Sequence, residues 1–159
     1  GGRFGKGQEK PIPARSEVPE GKTRICVAGF ALSHHTERAR KVACAIETHD
    51  SEKYETWFYF DSSGYRPNFL DYIKKELNEE QQKKFAEHKS SPFCWLETTE
   101  GKTRKLDALG GRDNLCEWAK KTFPDVKSVI AEAKEPSVFE AFVSKTPGSA
   151  QKETKMNPE

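Results

Sequence analysis

Four polar residues with side chains that can carry chemistry lie between a short apolar run and a stretch with helical periodicity: Ser33, His34, His35 and Thr36. A serine beside a histidine is the pairing of nucleophile and general base in hydrolases, and two histidines can begin a zinc site. However, no orienting carboxylate or oxyanion-hole motif accompanies Ser33 and His35, and adjacent side chains at a helix start point apart. Because His49 and His88 lie elsewhere in the chain, we expect neither a hydrolase site nor a metal site.

The four cysteines are the other reactive side chains: Cys26, Cys44, Cys94 and Cys116. They are widely spaced, they form no Cys-x-x-Cys motif, and each falls within an apolar stretch. An unpaired cysteine in such a stretch behaves as a small hydrophobic residue. We therefore expect buried free thiols, no catalytic thiol and a reducing compartment.

The elements that position the polar turn follow from the hydrophobic pattern. Residues 23–30 (TRICVAGF) and 54–61 (YETWFYFD) predict buried strands, because both are short and rich in β-branched or aromatic residues. Between them, apolar residues repeat with helical spacing: Ala39, Val42, Ala43 and Ile46. Ser33 or Thr36 can cap this helix, which should end near residues 48–51. The separation of the two strands suits a right-handed crossover and a parallel pair.

The rest of the chain continues this alternation. Two further helical faces are predicted, one formed by Phe69, Leu70, Ile73 and Leu77 and one by Leu115, Trp118, Ala119 and Phe123. Asn78 can cap a short charged helix anchored by Phe85. Residues 90–97 (SSPFCWLE) and the segment after a turn at Gly101 predict a third strand and an antiparallel fourth. The predicted order is β-α-β-α-β-β-α, an α/β fold with a mixed four-stranded sheet, followed by a short amphipathic helix.

The composition indicates one domain with polar tails. Charged residues make up 33% of the 159 residues, and Gly and Pro recur so often in residues 1–22 that local packing is not expected there. We assign an extended N-terminal tail (1–22), a folded domain (23–124), and a short helix with an extended C-terminal tail (125–159). Polar segments of this kind fold when bound, so we expect both tails to contact partner proteins.

Net charge and hydropathy bear on the partners. The net charge of +2 is too small to favour nucleic acid, and no apolar run reaches the roughly 18 residues that a membrane span needs. We therefore expect no membrane insertion. The N-terminal tail carries spaced basic residues: Arg3, Lys6, Lys10 and Arg15. They either bind an acidic surface such as tubulin or form an ordinary solubilising tail.

Three segments resemble glutaredoxins: VAGFALSHH (27–35), SSPFCWLE (90–97) and LGGRDNLCEWAKKTF (109–123). They are most similar to the glutaredoxin-like N-terminal domain of testis and ciliary malate dehydrogenase-like proteins, and the likeness spans Arg24 to Phe123. The resemblance implies a thioredoxin fold. It does not extend to a dehydrogenase, because the chain has no G-x-G-x-x-G after a strand and is too short for dinucleotide and substrate domains.

The resemblance also implies where a redox site would lie. Glutaredoxins carry a nucleophilic thiolate in the turn after the first strand, at a helix N-terminus that lowers its pKa. Ser33 matches that position and is followed by His34, His35 and Thr36, so the redox turn is degenerate. A serine hydroxyl is too weakly acidic for thiol exchange and can form no disulfide.

The glutathione contacts of the family would fall on five residues of this chain: Ser91, Pro92, Gly111, Arg112 and Asp113. The same residues can also serve as a strand entry, a tight turn and a helix start without any ligand. Arg112 stands where the family usually has a small residue or a cysteine. Glutathione is therefore a candidate ligand, and no other cofactor is expected.

The leading hypothesis is a non-catalytic glutaredoxin-like interaction subunit of a large assembly. The likeness to ciliary proteins favours a microtubule-associated setting in the cytoskeleton, the axoneme of a cilium or flagellum. An accessory subunit of a mitochondrial complex is the alternative location. A glutathione-dependent transferase or divergent oxidoreductase is the hypothesis from a different functional class.

Overall fold

A mixed four-stranded sheet lies at the centre of the molecule, in the strand order β2-β1-β3-β4. Its strands are β1 (Thr23–Phe30), β2 (Tyr54–Asp61), β3 (Phe93–Glu100) and β4 (Thr103–Gly110). β1 runs parallel to β2 and antiparallel to β3, and β4 is antiparallel to β3. These elements belong to a computed structural model that describes residues 14–61 and 67–135.

Five helices are described around this sheet: α1 (His34–His49), α2 (Pro67–Lys75), α3 (Glu79–Lys84), α4 (Arg112–Thr122) and α5 (Lys127–Ala133). α1, α4 and α5 contact one another and pack on one side of the sheet, which we call the α1 face. The opposite side, the α2 face, is covered by side chains of α2 and by Phe85 at the end of α3. Among the helices of the described residues, none has the length and apolar character needed to cross a membrane.

Each face of the sheet carries its own core, because successive strand residues point to opposite sides. On β1, Ile25 and Val27 belong to the core of the α1 face, whereas Cys26 and Ala28 belong to that of the α2 face. Trp95 and other aromatic side chains dominate the second core, and such side chains each contribute roughly 1.5–3 kcal/mol when buried. β1, an inner strand of the sheet, is buried on both sides, as its apolar sequence predicts.

The predicted fold class is confirmed: the element order and the mixed four-stranded sheet form a thioredoxin-like α/β arrangement. Both strands of the parallel pair have the predicted bounds. α2 ends at Lys75 and does not reach Leu77, yet Leu77 is buried on the α2 face through a turn. The predicted inner face of α4 is confirmed at Leu115, Ala119 and Phe123, which are buried, while Trp118 is half-buried against the same core. Cys116 is buried in addition.

The expectation that residues 1–22 do not pack locally is wrong at two positions. Residues 14–22 contain neither helix nor strand, but the side chains of Arg15 and Val18 are buried against the domain. At the other end, α5 buries Val129 and Ala133 in the core of the α1 face. Predictions that concern residues 1–13 and 136–159, including those on Arg3, Lys6 and Lys10, lie outside the described residues.

Candidate functional site

An open pocket of about 330 Å³ lies beside residues 33–36, where the starts of α1 and α4 meet the entry to β3. It brings together six of the residues singled out in the sequence: His35, Ser91, Pro92, Gly111, Arg112 and Asp113. It also includes three residues that sequence reasoning missed: His88, Ser90 and Asn114. Ser33 directly precedes α1, and His34 and Thr36 lie in its first turn. These three residues are not among those that line the pocket.

Ser33 caps helix α1. Its Oγ accepts a hydrogen bond from the backbone N–H of His35 at 3.1 Å, with an extended backbone at φ −82° and ψ 131°. Its hydroxyl thus satisfies a backbone donor that the helix leaves free. The His34 ring lies against His35, with 3.9 Å between ring centroids. The start of α1 therefore carries the paired imidazole rings of His34 and His35, at the place where the resembled family has a thiol.

Thr36 and Ser91 join α1 to the entry of β3. Thr36 is fully buried, and its Oγ1 lies 2.8 Å from Ser91 Oγ, which also accepts the backbone N–H of Phe30 at 2.8 Å. Gly29 fits beside this pair because it has no side chain: an added Cβ would lie 2.5 Å from Ser91 Oγ and 2.6 Å from Thr36 Oγ1. The peptide bond between Ser91 and Pro92 is cis. Because it bonds both Thr36 and Phe30, the Ser91 hydroxyl links α1, β1 and the entry of β3.

The opposite wall of the pocket is the start of α4. Gly110 has φ +118°, a backbone conformation that favours glycine, and Gly111 is the N-cap of the helix. The Gly111 N–H donates to Asn114 Oδ1 at 3.1 Å, so at this candidate glutathione position the backbone donor already has an acceptor. Asn114 lies at N3, three positions after the N-cap, from where its side chain reaches back to the Gly111 amide.

Arg112 and Asp113 nearly neutralise each other at the rim. The guanidinium donates to Asp113 Oδ1 from Nε at 2.9 Å and from Nη2 at 2.6 Å, and Glu135 Oε2 lies 3.8 Å from Nη2. The Arg112 side chain is 12% exposed and that of Asp113 is 73% exposed, so the carboxylate faces solvent. A ligand with one negative charge would have to compete with Asp113 for this guanidinium.

Both pocket histidines have lowered pKa values. Burial lowers the pKa of His35, and the neighbouring His34 and Arg112 charges lower it further. Burial also lowers the pKa of His88, against the opposing effect of its hydrogen bonds to the backbone of Pro92 and Ser90. His88 Nε2 lies 3.2 Å from the Pro92 carbonyl oxygen, so we assign the ring proton to Nε2. At neutral pH the two rings are mainly uncharged.

The cysteines lie away from this chemistry. Burial raises the pKa of Cys26, Cys94 and Cys116, which are all in the core, while Cys44 is half-buried on α1. Among the described residues, those that line the pocket include no cysteine. In the part of the chain that the structure describes, no group of three or more His, Cys, Asp or Glu side chains is placed to hold a metal ion.

The arrangement thus offers a polar pocket with uncharged imidazoles, a neutralised Arg–Asp pair and a buried Ser–Thr support. No family model matches this chain, and no curated protein is significantly similar to it.

Proposed function

We propose that this chain is a non-catalytic, glutaredoxin-like interaction subunit. The observation that carries the proposal is the role of Ser33, whose Oγ accepts the His35 N–H at 3.1 Å and caps α1 at the position matched to the redox thiol. A hydroxyl that caps a helix there keeps the turn folded but can neither attack a disulfide nor form one.

The thiols of the chain support the same conclusion. A thiol reacts as its thiolate, and burial disfavours the thiolate of Cys26, Cys94 and Cys116. Cys44 is half-buried, and its Sγ lies 3.8 Å from Arg40 Nη1 on the same helix. Its place within α1, away from the helix start, does not match that of a glutaredoxin nucleophile.

The resemblance to ciliary proteins makes an axonemal assembly the first setting to test, with a mitochondrial complex as the alternative. A native extract should be fractionated by sedimentation at low and moderately high salt, and this chain followed by peptide mass spectrometry. We expect it to travel with a large particle whose proteins identify the compartment. Sedimentation near the 18.0 kDa of the free chain at both salt concentrations would refute the proposal.

A Ser33→Cys variant tests whether the turn is a redox scaffold without its thiol. A cysteine at the N-terminus of α1 should have a lowered pKa and form a mixed disulfide with oxidised glutathione faster than an ordinary exposed thiol. Ser90→Cys, on the same pocket, is the matched control, because Ser90 does not cap this helix. The wild-type chain should show no thiol–disulfide exchange. If the wild-type chain exchanged as fast as Ser33→Cys, the non-catalytic assignment would be wrong.

Glutathione binding is the second candidate function, because one pocket unites the five residues that the resemblance assigns to this ligand. Titration with reduced glutathione, followed by amide chemical shifts, tests it directly. Saturable shifts confined to Ser91, Gly111 and Asp113 would favour a glutathione-dependent protein. Small shifts without saturation would favour a pure interaction subunit.

A further inference from the structure

A carboxylate is buried on the α2 face of the sheet, and it is not among the residues that line the pocket. Glu97, on β3, has a fully buried side chain, and a buried carboxylate is costly unless it is paired. Three arginines surround it: Arg15, Arg24 and Arg104. Only the first of these makes a close ion pair, at 2.8 Å from Nη2 to Oε2, whereas Arg24 and Arg104 lie 3.6 Å from the carboxylate.

The Arg15 guanidinium is enclosed on several sides. Nε donates to Glu97 Oε2 at 2.9 Å, and Nη2 donates to Glu76 Oε1 at 2.7 Å. The guanidinium carbon lies 5.8 Å from the ring centroids of both Trp57 and Trp95, within the range of cation–π attraction. The Arg15 side chain is 0% exposed. The fork of N–H groups thus bridges two carboxylates between aromatic rings, a geometry that an ammonium group cannot reproduce.

Arg15 remains positively charged in this buried position. Burial lowers the pKa of its guanidinium, but the hydrogen bond and charge of Glu97, together with the charge of Glu76, outweigh burial and raise the pKa above its ordinary value. The Cys26 thiol donates a further hydrogen bond to this carboxylate, at 3.3 Å from Sγ to Glu97 Oε1.

The backbone beside Arg15 is held by the other two arginines. Arg24 Nη1 donates to the Ser16 carbonyl at 2.7 Å, and Arg104 Nη2 donates to the Arg15 carbonyl at 2.8 Å. Val18 is 2% exposed and provides a second anchor. Residues 14–18 have no regular secondary structure, so side-chain contacts rather than sheet hydrogen bonds fix their path.

We propose that Glu97, Glu76, Trp57 and Trp95 form a guanidinium-binding site that Arg15 fills from within the chain. Residues 14–18 are then a latch, which holds this segment against the α2 face of the domain. The site favours a guanidinium because two carboxylates accept hydrogen bonds from its adjacent nitrogens, Nε and Nη2, while two indole rings lie within cation–π distance of its carbon.

Chemical rescue of Arg15→Ala tests this proposal. The variant keeps the site but removes its occupant, and its melting temperature should fall by roughly 10 °C because Glu97 loses its close partner. Methylguanidinium chloride, added at ten times its dissociation constant, should raise the melting temperature of the variant by roughly 5 °C. Methylammonium chloride at equal ionic strength should not.

The double variant Arg15→Ala/Glu97→Gln is the matched control, since it keeps the volume of the site and removes the charge of its fully buried carboxylate. We expect no rescue of this variant. Equal rescue by both cations, equal rescue of both variants, or no rescue of Arg15→Ala would each overturn the proposal. If Arg15→Ala does not fold alone, refolding in the presence of methylguanidinium becomes the readout: recovery of the native circular dichroism spectrum supports the site, and no recovery contradicts it.

Discussion

Gly29 sets how closely β1, α1 and the cis Ser91–Pro92 turn approach one another. An added methyl group would lie within 2.6 Å of both Ser91 Oγ and Thr36 Oγ1 and 3.1 Å from Pro92 Cβ. Because the two hydroxyls hydrogen-bond each other, neither can move freely. We expect Gly29→Ala to lower the free energy of unfolding by about 1–3 kcal/mol, as measured by urea denaturation.

Gly111→Ala is the control for this prediction. An added Cβ there would lie 3.7 Å from His88 and 3.8 Å from the Pro92 carbonyl oxygen, which is ordinary van der Waals contact. The replacement should cost less than about 1 kcal/mol, the usual difference between glycine and alanine at an N-cap. An equal loss in the two variants would show that packing beside Ser91 is not the cause.

The pocket histidines predict how stability changes with pH. Because the pKa values of His35 and His88 are lowered from about 6.5 in the folded protein, the unfolded chain binds more protons below that pH. Their contribution to stability is complete above about pH 6.5 and is lost as the pH falls toward the folded pKa values. His88→Gln should therefore weaken the dependence of unfolding free energy on pH between about pH 7.5 and 5. An unchanged slope would contradict this prediction.

At the scale of elements, the short helix α3 fixes the edge of the sheet. Asn78 caps α3 by accepting the Gln81 N–H at 2.8 Å. The side chain of Gln81 then accepts the backbone N–H of Ala108 at 2.9 Å and donates to Asp107 at 3.1 Å. An exposed helix of six residues thus protects part of the outer edge of β4 from pairing with other strands.

Asn78→Ala should destabilise the protein by about 1 kcal/mol, because it leaves helix donors without their cap. Hydrogen exchange of the Ala108 amide should also become faster, since Gln81 is no longer held in place. Asn78→Asp is the matched control and should leave both properties nearly unchanged, because aspartate caps as well as asparagine. Fast exchange in the Asp variant would show that the cap does not act through Gln81.

At the scale of the whole molecule, the two cores share one sheet, so their thiols should become reactive together. Cys26 lies in the core of the α2 face, and Cys94 and Cys116 lie in that of the α1 face. A disulfide reagent added to the native protein should modify at most the half-buried Cys44 rapidly, and all four cysteines only in denaturant. Mass spectrometry gives the order of modification. Fast labelling of two or more thiols in the native state would contradict cooperative unfolding of the two cores.

The local pattern of the sequence determined the elements. The parallel strands and the Ser33 and Asn78 caps lie where short-range spacing places them, because strand alternation and helix capping depend on residues a few positions apart. The resemblance supplied six residues of the pocket rim, but not His88 or Ser90, for which the sequence offered no signal.

Only the tertiary structure decided what those elements enclose. Arg15 reads in the sequence as one more charge in a polar tail, yet it pairs with Glu97 across 82 positions of the chain. Gly111, one of the candidate glutathione positions, has its amide satisfied by Asn114. Burial and long-range pairing depend on which surfaces the sheet brings together, and no local spacing encodes that. The strands and caps could therefore be predicted from the sequence, whereas the guanidinium site and the hydrogen bonds of the pocket could be identified only in the folded chain.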